Sequence, residues 1–235
     1  MRLSVVIPAY NERERLPRTL DRVAAFLTAR GEPFEILVVD DGSSDGTAEL
    51  VRERARALPQ LGLVSYPENR GKGFAVREGA LRARGEAVLV CDADGAAPIE
   101  ELARLERALE RGADIAVGSR AVASVETRIE ARLLRKALGR TFARCVNLLG
   151  VPGIRDTQCG FKLFTRDACR RVFPRQRLSG FAFDVELLRI AWLAGLKVEE
   201  VPINWRHVPG SRINLVVDGL RMLLDLVRIR LAHPR

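Results

Sequence analysis

Asp92 and Asp94, with Ala93 between them, follow the apolar run Val88-Leu89-Val90 and precede Pro98. Acids this close repel each other unless a cation sits between them. A hard divalent ion such as Mg2+ or Mn2+ accepts one or two carboxylates and completes its shell with substrate phosphate oxygens. On an extended strand end, alternation would put both carboxylates on one side. The plainer reading is a turn or helix-cap role for Asp94. The acids farther up the chain favour the metal.

Asp40-Asp41-Gly42-Ser43-Ser44-Asp45-Gly46-Thr47 follows the apolar stretch that ends at Val39. Ser44 or Asp45 suits the cap of the next helix. Capping does not explain two adjacent acids at a strand end, where a carboxylate can accept from a base N–H or a ribose hydroxyl. Asp41 is the expected base partner and Asp40 its support. Pro8-Ala9-Tyr10-Asn11-Glu12 occupies the matching place after the first strand. Tyr10 has a flat face for stacking, and Glu12 an acceptor for ribose or base edges. Asn69-Arg70-Gly71-Lys72-Gly73 has the glycines of a phosphate-binding loop and opens a helix. Neither a Walker A loop nor a GxGxxG after the first strand is present, which argues against an ATPase and against dinucleotide redox chemistry.

These clusters need elements that bring them to one edge. Residues 3–9, 35–41, 61–67, 86–93 and 114–120 read as strands. Helices between them carry apolar faces, one with Leu16, Leu20, Val23 and Leu27, another with Ile99, Leu102, Leu105 and Leu109 behind Pro98. Such alternation predicts an α/β fold with a mostly parallel, twisted, doubly wound sheet flanked by helices, and ligands outside the carboxyl ends of its strands. The second half is less regular. Residues 128–150 read as a helix whose apolar stripe is Leu134, Leu138, Phe142, Cys145 and Leu149. Its basic residues Arg128, Arg132, Arg135 and Lys136 lie on another side. After a Phe-rich segment at 161–164 come a helix over 184–194 and a strand near 198–205. A final helix has Leu220, Leu223, Leu224, Val227 and Leu231 on one face, opposite Asp218, Arg221, Asp225 and Arg228. One domain over 1–235 is expected, with 1–120 binding the donor. Residues 121–235 then form a smaller acceptor side that ends in the amphipathic helix.

The chain has 235 residues, 47% of them apolar, and a net charge of +9. That charge calls for an anionic partner without saying which: nucleic acid, membrane or phosphorylated substrate. Nucleic acid is disfavoured, because aromatics for stacking make up only 6%. The four cysteines show no metal-site spacing and suit a reducing compartment. Neither a signal peptide nor an apolar run long enough to span a bilayer is expected. A cytoplasmic protein, peripheral at the inner face of the cell membrane, is the expectation. A non-catalytic module that binds anionic membrane is the competing class.

Together these segments resemble glycosyltransferase family 2, the GT-A fold enzymes that use nucleotide-sugars. The resemblance continues through Gly118-Ser119-Arg120, Asp156-Thr157-Gln158-Cys159-Gly160-Phe161-Lys162-Leu163-Phe164 and Phe183-Asp184-Val185-Glu186. Together with Val201-Pro202-Ile203-Asn204-Trp205 and Gly210-Ser211-Arg212, these segments are similar to the dolichyl-phosphate β-glucosyltransferase branch. Mannosyl-phosphate synthases, its relatives, place a Gln where this chain has Ala96, which leaves the third protein ligand to a metal open. Eukaryotic members of the branch carry an N-terminal anchor with no counterpart here, so a polyprenyl phosphate is the broader wording for the acceptor.

The resemblance implies inverting transfer of a hexose, glucose from UDP-glucose being the expected donor, onto a polyprenyl or dolichyl phosphate. A mannosyltransferase using GDP-mannose, or a family 2 enzyme with a hydroxyl acceptor, is the alternative. Asp92 and Asp94 would hold the metal. Pro8, Tyr10, Glu12, Val39, Asp40, Asp41, Lys72, Asp92, Ala93, Arg206 and Arg212 would hold the nucleotide-sugar. Arg120, Arg132 and Arg135 would cradle the acceptor phosphate, and Asp156, Gln158 and Glu186 would bind sugar hydroxyls. Asp184 is the candidate base should the acceptor be a neutral alcohol. Trp205, Arg206, His207 and Arg212 would close over the diphosphate.

Overall fold

The first strand, β1 (Leu3–Ala9), is buried along its whole length, as expected of a central strand with helices on both faces. The computed structural model describes residues 2–122, 124, 127, 129–130, 151, 153–208 and 217–234, with the backbone alone at 129, 130, 217–220 and 223. The element order is β1, α1 (Leu16–Arg30), β2 (Phe34–Asp41), α2 (Thr47–Ala57), β3 (Leu61–Tyr66), α3 (Lys72–Arg82), β4 (Ala87–Val90), α4 (Leu102–Glu110) and β5 (Ile115–Ser119). Then come β6 (Ile129–Glu130), β7 (Lys162–Thr165), α5 (Arg166–Val172), α6 (Phe183–Leu193), β8 (Val198–Pro202), β9 (Trp205–Arg206) and α7 (Val217–Ala232).

Seven strands form one sheet in the order β3-β2-β1-β4-β7-β5-β8. The β3–β2, β2–β1, β1–β4 and β5–β8 pairs are parallel. Between β4 and β5 lies β7, antiparallel to both. The Phe-rich segment is therefore a central strand, and the sheet is mixed rather than wholly parallel. Its alternation puts Lys162 and Phe164 on one face and Leu163 on the other.

Each face of the sheet carries its own core. Leu16, Leu20, Val23 and Leu27 of α1 pack with Val51 of α2 and Leu102 and Leu105 of α4 on one side. On the other, Ala75 and Val76 of α3 meet Val172 of α5, Leu187 and Ile190 of α6, and Met222, Leu226 and Ile229 of α7. Helix α3 lies so close to the sheet that a Cβ on Gly79 would come 2.4 Å from Val6 Cγ1. That closeness holds the N-terminus of α3 at the strand ends.

Four sequence expectations change. The strand expected over 86–93 stops at Val90, so Asp92 and Asp94 sit in a turn. Residues 129–130, expected to open a helix, pair instead as β6 with β9; residues 131–150 lie outside the described ones. The strand expected near 198–205 divides into β8 and β9, which belong to different sheets. In α7 a different apolar stripe from the expected one faces the core. Met222, Leu226 and Ile229 are buried, while Leu224, Val227 and Leu231 of the expected apolar face are exposed.

Candidate active site

Three strand-end loops meet beside β1, β2 and β4. The turn 10–12 joins the loop after β2 through Asn11, whose φ of 53° is tolerated by asparagine. Its N–H donates to Ser43 Oγ at 2.8 Å, and its Oδ1 accepts from Ser44 N at 2.7 Å. Just before α2, whose N-cap is Gly46, Asp45 Oδ1 accepts from Thr47 N at 3.0 Å. Tyr10 is exposed, as a stacking face requires. The Glu12 carboxylate accepts from Arg15 Nε at 2.7 Å. Pro8 and Val39 are buried in the ends of β1 and β2.

The adjacent acids meet different partners. Asp41, expected to meet the base, accepts from Arg70 N at 2.9 Å and Gly71 N at 2.8 Å, so it braces the phosphate loop. Asp40 is buried and takes Ser65 Oγ on Oδ2, while its Oδ1 has no partner among the described residues. A buried, unsatisfied carboxylate oxygen is costly. Asp40 thus keeps one acceptor atom without a described partner.

At the centre, Lys72 Nζ donates to Asp92 Oδ1 at 2.6 Å from the first turn of α3. Burial opposes the Lys72 charge, yet Asp92, with Asp184 and Asp94 behind it, outweighs burial and holds the ammonium pKa above the ordinary lysine value. Burial likewise opposes the Asp92 charge, but Lys72 keeps its carboxyl below the usual range. Asp94 goes the other way, raised by burial and by Asp92. Its Oδ1 accepts from Ala96 N at 3.0 Å and so fixes the turn. Arg206 joins here, its N–H donating to Ala96 O at 3.0 Å. Its buried Nε has no partner among the described residues.

The far wall comes from β5, β7 and β8. Arg120 donates Nε to Asp156 Oδ2 at 2.7 Å and Nη2 to Oδ1 at 2.8 Å, and its guanidinium lies 5.4 Å from the Trp205 ring. Burial opposes the Asp156 charge, but Arg120 holds its carboxyl below the ordinary aspartate range. Glu200 fixes the loop before β7, accepting from Ser119 Oγ and Asp156 N at 2.7 Å each, and from Arg155 N at 2.9 Å. A Cβ on Gly160 would fall 2.1 Å from Asp92 Oδ2, so this loop touches the metal-candidate carboxylate. The Trp205 and His207 rings stack loosely, with centroids 6.4 Å apart.

Several expected roles change here. Asp184, the candidate base, is buried against Lys162 Nζ, which also donates to Cys159 O; burial pushes its carboxyl up. Glu186, expected at the sugar, is 0% exposed and accepts from Arg177 N, Leu178 N and His233 Nε2. It braces the loop that packs on Gly71 and Gly73, and its carboxylate does not reach a sugar. Asp156 spends its oxygens on Arg120, and Gln158 Nε2 points to Met222 Sδ at 3.7 Å. Arg132, Arg135 and Arg212 lie outside the described residues. Sequence reasoning passed over Lys162, Glu200, Asn11 and Gly160 as individual residues. Only Lys162, a charge inside a Phe-rich segment, carried a local signal.

The carboxylate turn fits a divalent ion. Two half-exposed acids with oxygen donors stand at the mouth, and no group of three or more metal-ligating side chains exists among the described residues. An ion here would need phosphate oxygens to complete its shell.

The family model described as glycosyl transferase family 2 matches residues 4–173. A dolichyl-phosphate beta-glucosyltransferase of Trichomonas vaginalis is 43% identical, over 95% of this chain and 69% of its own. Those of Saccharomyces cerevisiae and Homo sapiens are 39% and 38% identical, each over 98% of this chain and 75% of theirs. Among solved structures, mannosyl-3-phosphoglycerate synthase from Rubrobacter xylanophilus superposes with a TM-score of 0.73 at 22% identity, covering 97% of this chain and 72% of that one. Glucosyl-3-phosphoglycerate synthase from Mycobacterium tuberculosis, in complex with Mn2+, uridine-diphosphate-glucose and phosphoglyceric acid, gives 0.70 at 18%, covering 99% and 79%. These likenesses establish the GT-A fold.

Proposed function

The chain belongs to glycosyl transferase family 2, a family of glycosyltransferases, and from that premise we propose that it moves glucose from UDP-glucose to the phosphate of a polyprenyl or dolichyl acceptor. The observation that carries the reading is the state of the candidate base: Asp184 is buried in a pair with Lys162, while Lys72 and Arg120, paired with Asp92 and Asp156, are the cations a phosphate could meet. A sugar hydroxyl acceptor needs a general base within reach. A phosphate acceptor is anionic at neutral pH and needs cations instead. The names of the relatives support the same acceptor and sugar.

In this reading residues 1–120 bind the donor and 121–235 form the acceptor side of one domain. Asp40 Oδ1 accepts from the base or ribose, and Tyr10 lies against the base. Asp92 and Asp94 would hold Mg2+ or Mn2+ together with the diphosphate, and a bound ion supplies Lewis-acid stabilisation of the leaving group. Lys72, with the N-terminus of α3 behind it, turns from Asp92 toward a phosphate oxygen. Arg120, kept in place by Asp156 and Glu200, faces the incoming acceptor phosphate. Attack opposite the departing diphosphate inverts the anomeric centre.

The test is transfer of labelled hexose to a short-chain polyprenyl phosphate in Mn2+ buffer. Glucose from UDP-glucose should appear on the lipid, and little mannose from GDP-mannose. Faster mannose transfer would overturn the donor assignment. Equal transfer to the dephosphorylated alcohol would overturn the acceptor assignment.

A further inference from the structure

Helix α7 has two apolar faces, and among the described residues only one of them packs into the core. Met222, Leu226 and Ile229 pack into the core with α6. About half a turn around the helix, Leu224, Val227 and Leu231 share an arc of roughly 60° at 100° per residue. They are 63%, 52% and 75% exposed. Branched apolar side chains this exposed, in register over two turns, are not explained by packing against the described residues.

Charge frames the stripe. Arg221, Arg228 and Arg230 are all exposed. On the helical wheel, Arg221 and Arg228 flank one side of the stripe and Arg230 the other. Asp225, on the flank with Arg228, is paired to it at 3.0 Å. Long basic side chains can bury their stems beside an apolar stripe while their heads reach a headgroup layer. At the far end, Arg189 donates to His233 O at 3.3 and 3.2 Å from Nε and Nη2. The Arg189 guanidinium also lies 5.0 Å from the part-exposed ring of Trp192.

The near end adjoins the site. Met222 touches Gln158, in the loop that carries Asp156 and Gly160. Asp225 Oδ2 lies 4.0 Å from where a Cβ on Gly180 would stand. Next to Gly180, Ser179 O accepts from Gly73 N at 2.7 Å in the phosphate loop.

We propose that the Leu224–Val227–Leu231 stripe of α7, flanked by Arg221, Arg228 and Arg230, docks the enzyme in plane on an anionic lipid bilayer beside its acceptor site. This deepens the lipid-phosphate reading and builds on it. A second copy of the chain is the rival occupant of the face. The arginines along both flanks would face their own kind in that pairing, whereas anionic headgroups complement them.

The experiment is co-sedimentation of the full chain with vesicles of equal parts phosphatidylcholine and phosphatidylglycerol, and with phosphatidylcholine alone. The parent should partition onto the mixed vesicles. The Leu224→Gln/Val227→Gln/Leu231→Gln variant should bind them about tenfold or more weakly. The Arg221→Gln/Arg228→Gln/Arg230→Gln variant should lose the preference for anionic vesicles, by about fivefold per charge. A single Leu231→Glu variant, altered at the most exposed of the three side chains, should show a smaller loss in the same direction. Unchanged partition of the apolar variants overturns the proposal. So does a parent dimer that the apolar variant turns into a monomer without altering vesicle binding. Glucose transfer to a water-soluble short-chain phosphate should be equal in parent and variants. Vesicle binding without transfer by the parent would sink the acceptor reading and leave the docking surface standing.

Discussion

At the ends of β2 and β4, Asp40, Asp92 and Asp94 keep oxygens uncommitted among the described residues, whereas Asp41 gives both of its own to the phosphate loop. Across the site, on β8, α6 and the loop before β7, acids are answered in full. Asp40 has a buried oxygen with no described partner, and Asp92 and Asp94 share one lysine between two carboxylates. Asp156 is matched by Arg120, Asp184 by Lys162, Glu200 by a hydroxyl and two N–H groups, and Glu186 by two N–H groups and His233. Burying an acid without partners costs several kcal/mol. A fold keeps such a group where a ligand will complete it. In the proposed reading, this difference separates the acids left for ligand from those that brace the fold.

Substitutions can break that division. The largest effect is expected at Asp94→Asn, which should lower transfer roughly a thousandfold, about 4 kcal/mol, with melting behaviour retained. It should also abolish the Mn2+-dependent protection of the fold by UDP. Substantial turnover by this variant, or by the parent in chelator, would remove the metal from the account.

Lys162→Met tests the bracing side. It strands Asp184 as a buried charge, so a denaturant titration should show about 3–5 kcal/mol of lost stability. Adding Asp184→Leu should restore much of that loss. A loss near zero for the single variant would mean that the pair is no brace.

Gly160→Ala sits on the border between the two sides. Its Cβ would meet the Asp92 carboxylate, a flexible side chain that can swing away. Transfer should fall about a hundredfold, near 3 kcal/mol, with little change in melting temperature. Comparable losses in both would place Gly160 with the braces.

The smallest effect is a pH dependence. Burial works to raise the Asp156 carboxyl, but Arg120 outweighs it and holds the folded pKa below the unfolded value. The stability Asp156 contributes is therefore complete above its unfolded pKa of about 4 and is lost as pH falls through the lower folded value. The stability gap between parent and Asp156→Asn should be flat from neutral pH down to about 4 and then close. A gap that closes near neutrality would assign the effect to another group.

Much of the donor side was legible in the chain. Strand endings at Ala9 and Asp41 and the buried faces of α1 and α4 matched their periodicity, because alternation and helical spacing are local signals. The order of Asp40 and Asp41 was not legible. Two adjacent acids look alike until a loop 28 to 30 residues away takes the oxygens of one. Helix α7 misled for a related reason. Two apolar stripes compete on it, and only its packing against α6 and the sheet chooses between them.

What the sequence determined by itself was the alternation of strands and helices, the acids at strand ends and the glycine loop with Lys72. Neighbouring residues encode all of these. Only the tertiary structure decided that β7 enters the sheet antiparallel, that Lys162 takes Asp184, that Glu186 and Glu200 are braces, and which stripe of α7 faces outward. Each of those choices depends on groups that meet across many residues of chain, Lys162 and Asp184 being 22 apart and Asp156 and Glu200 being 44 apart. Burial then sets whether a charge is free to meet a ligand or must be neutralised within the fold.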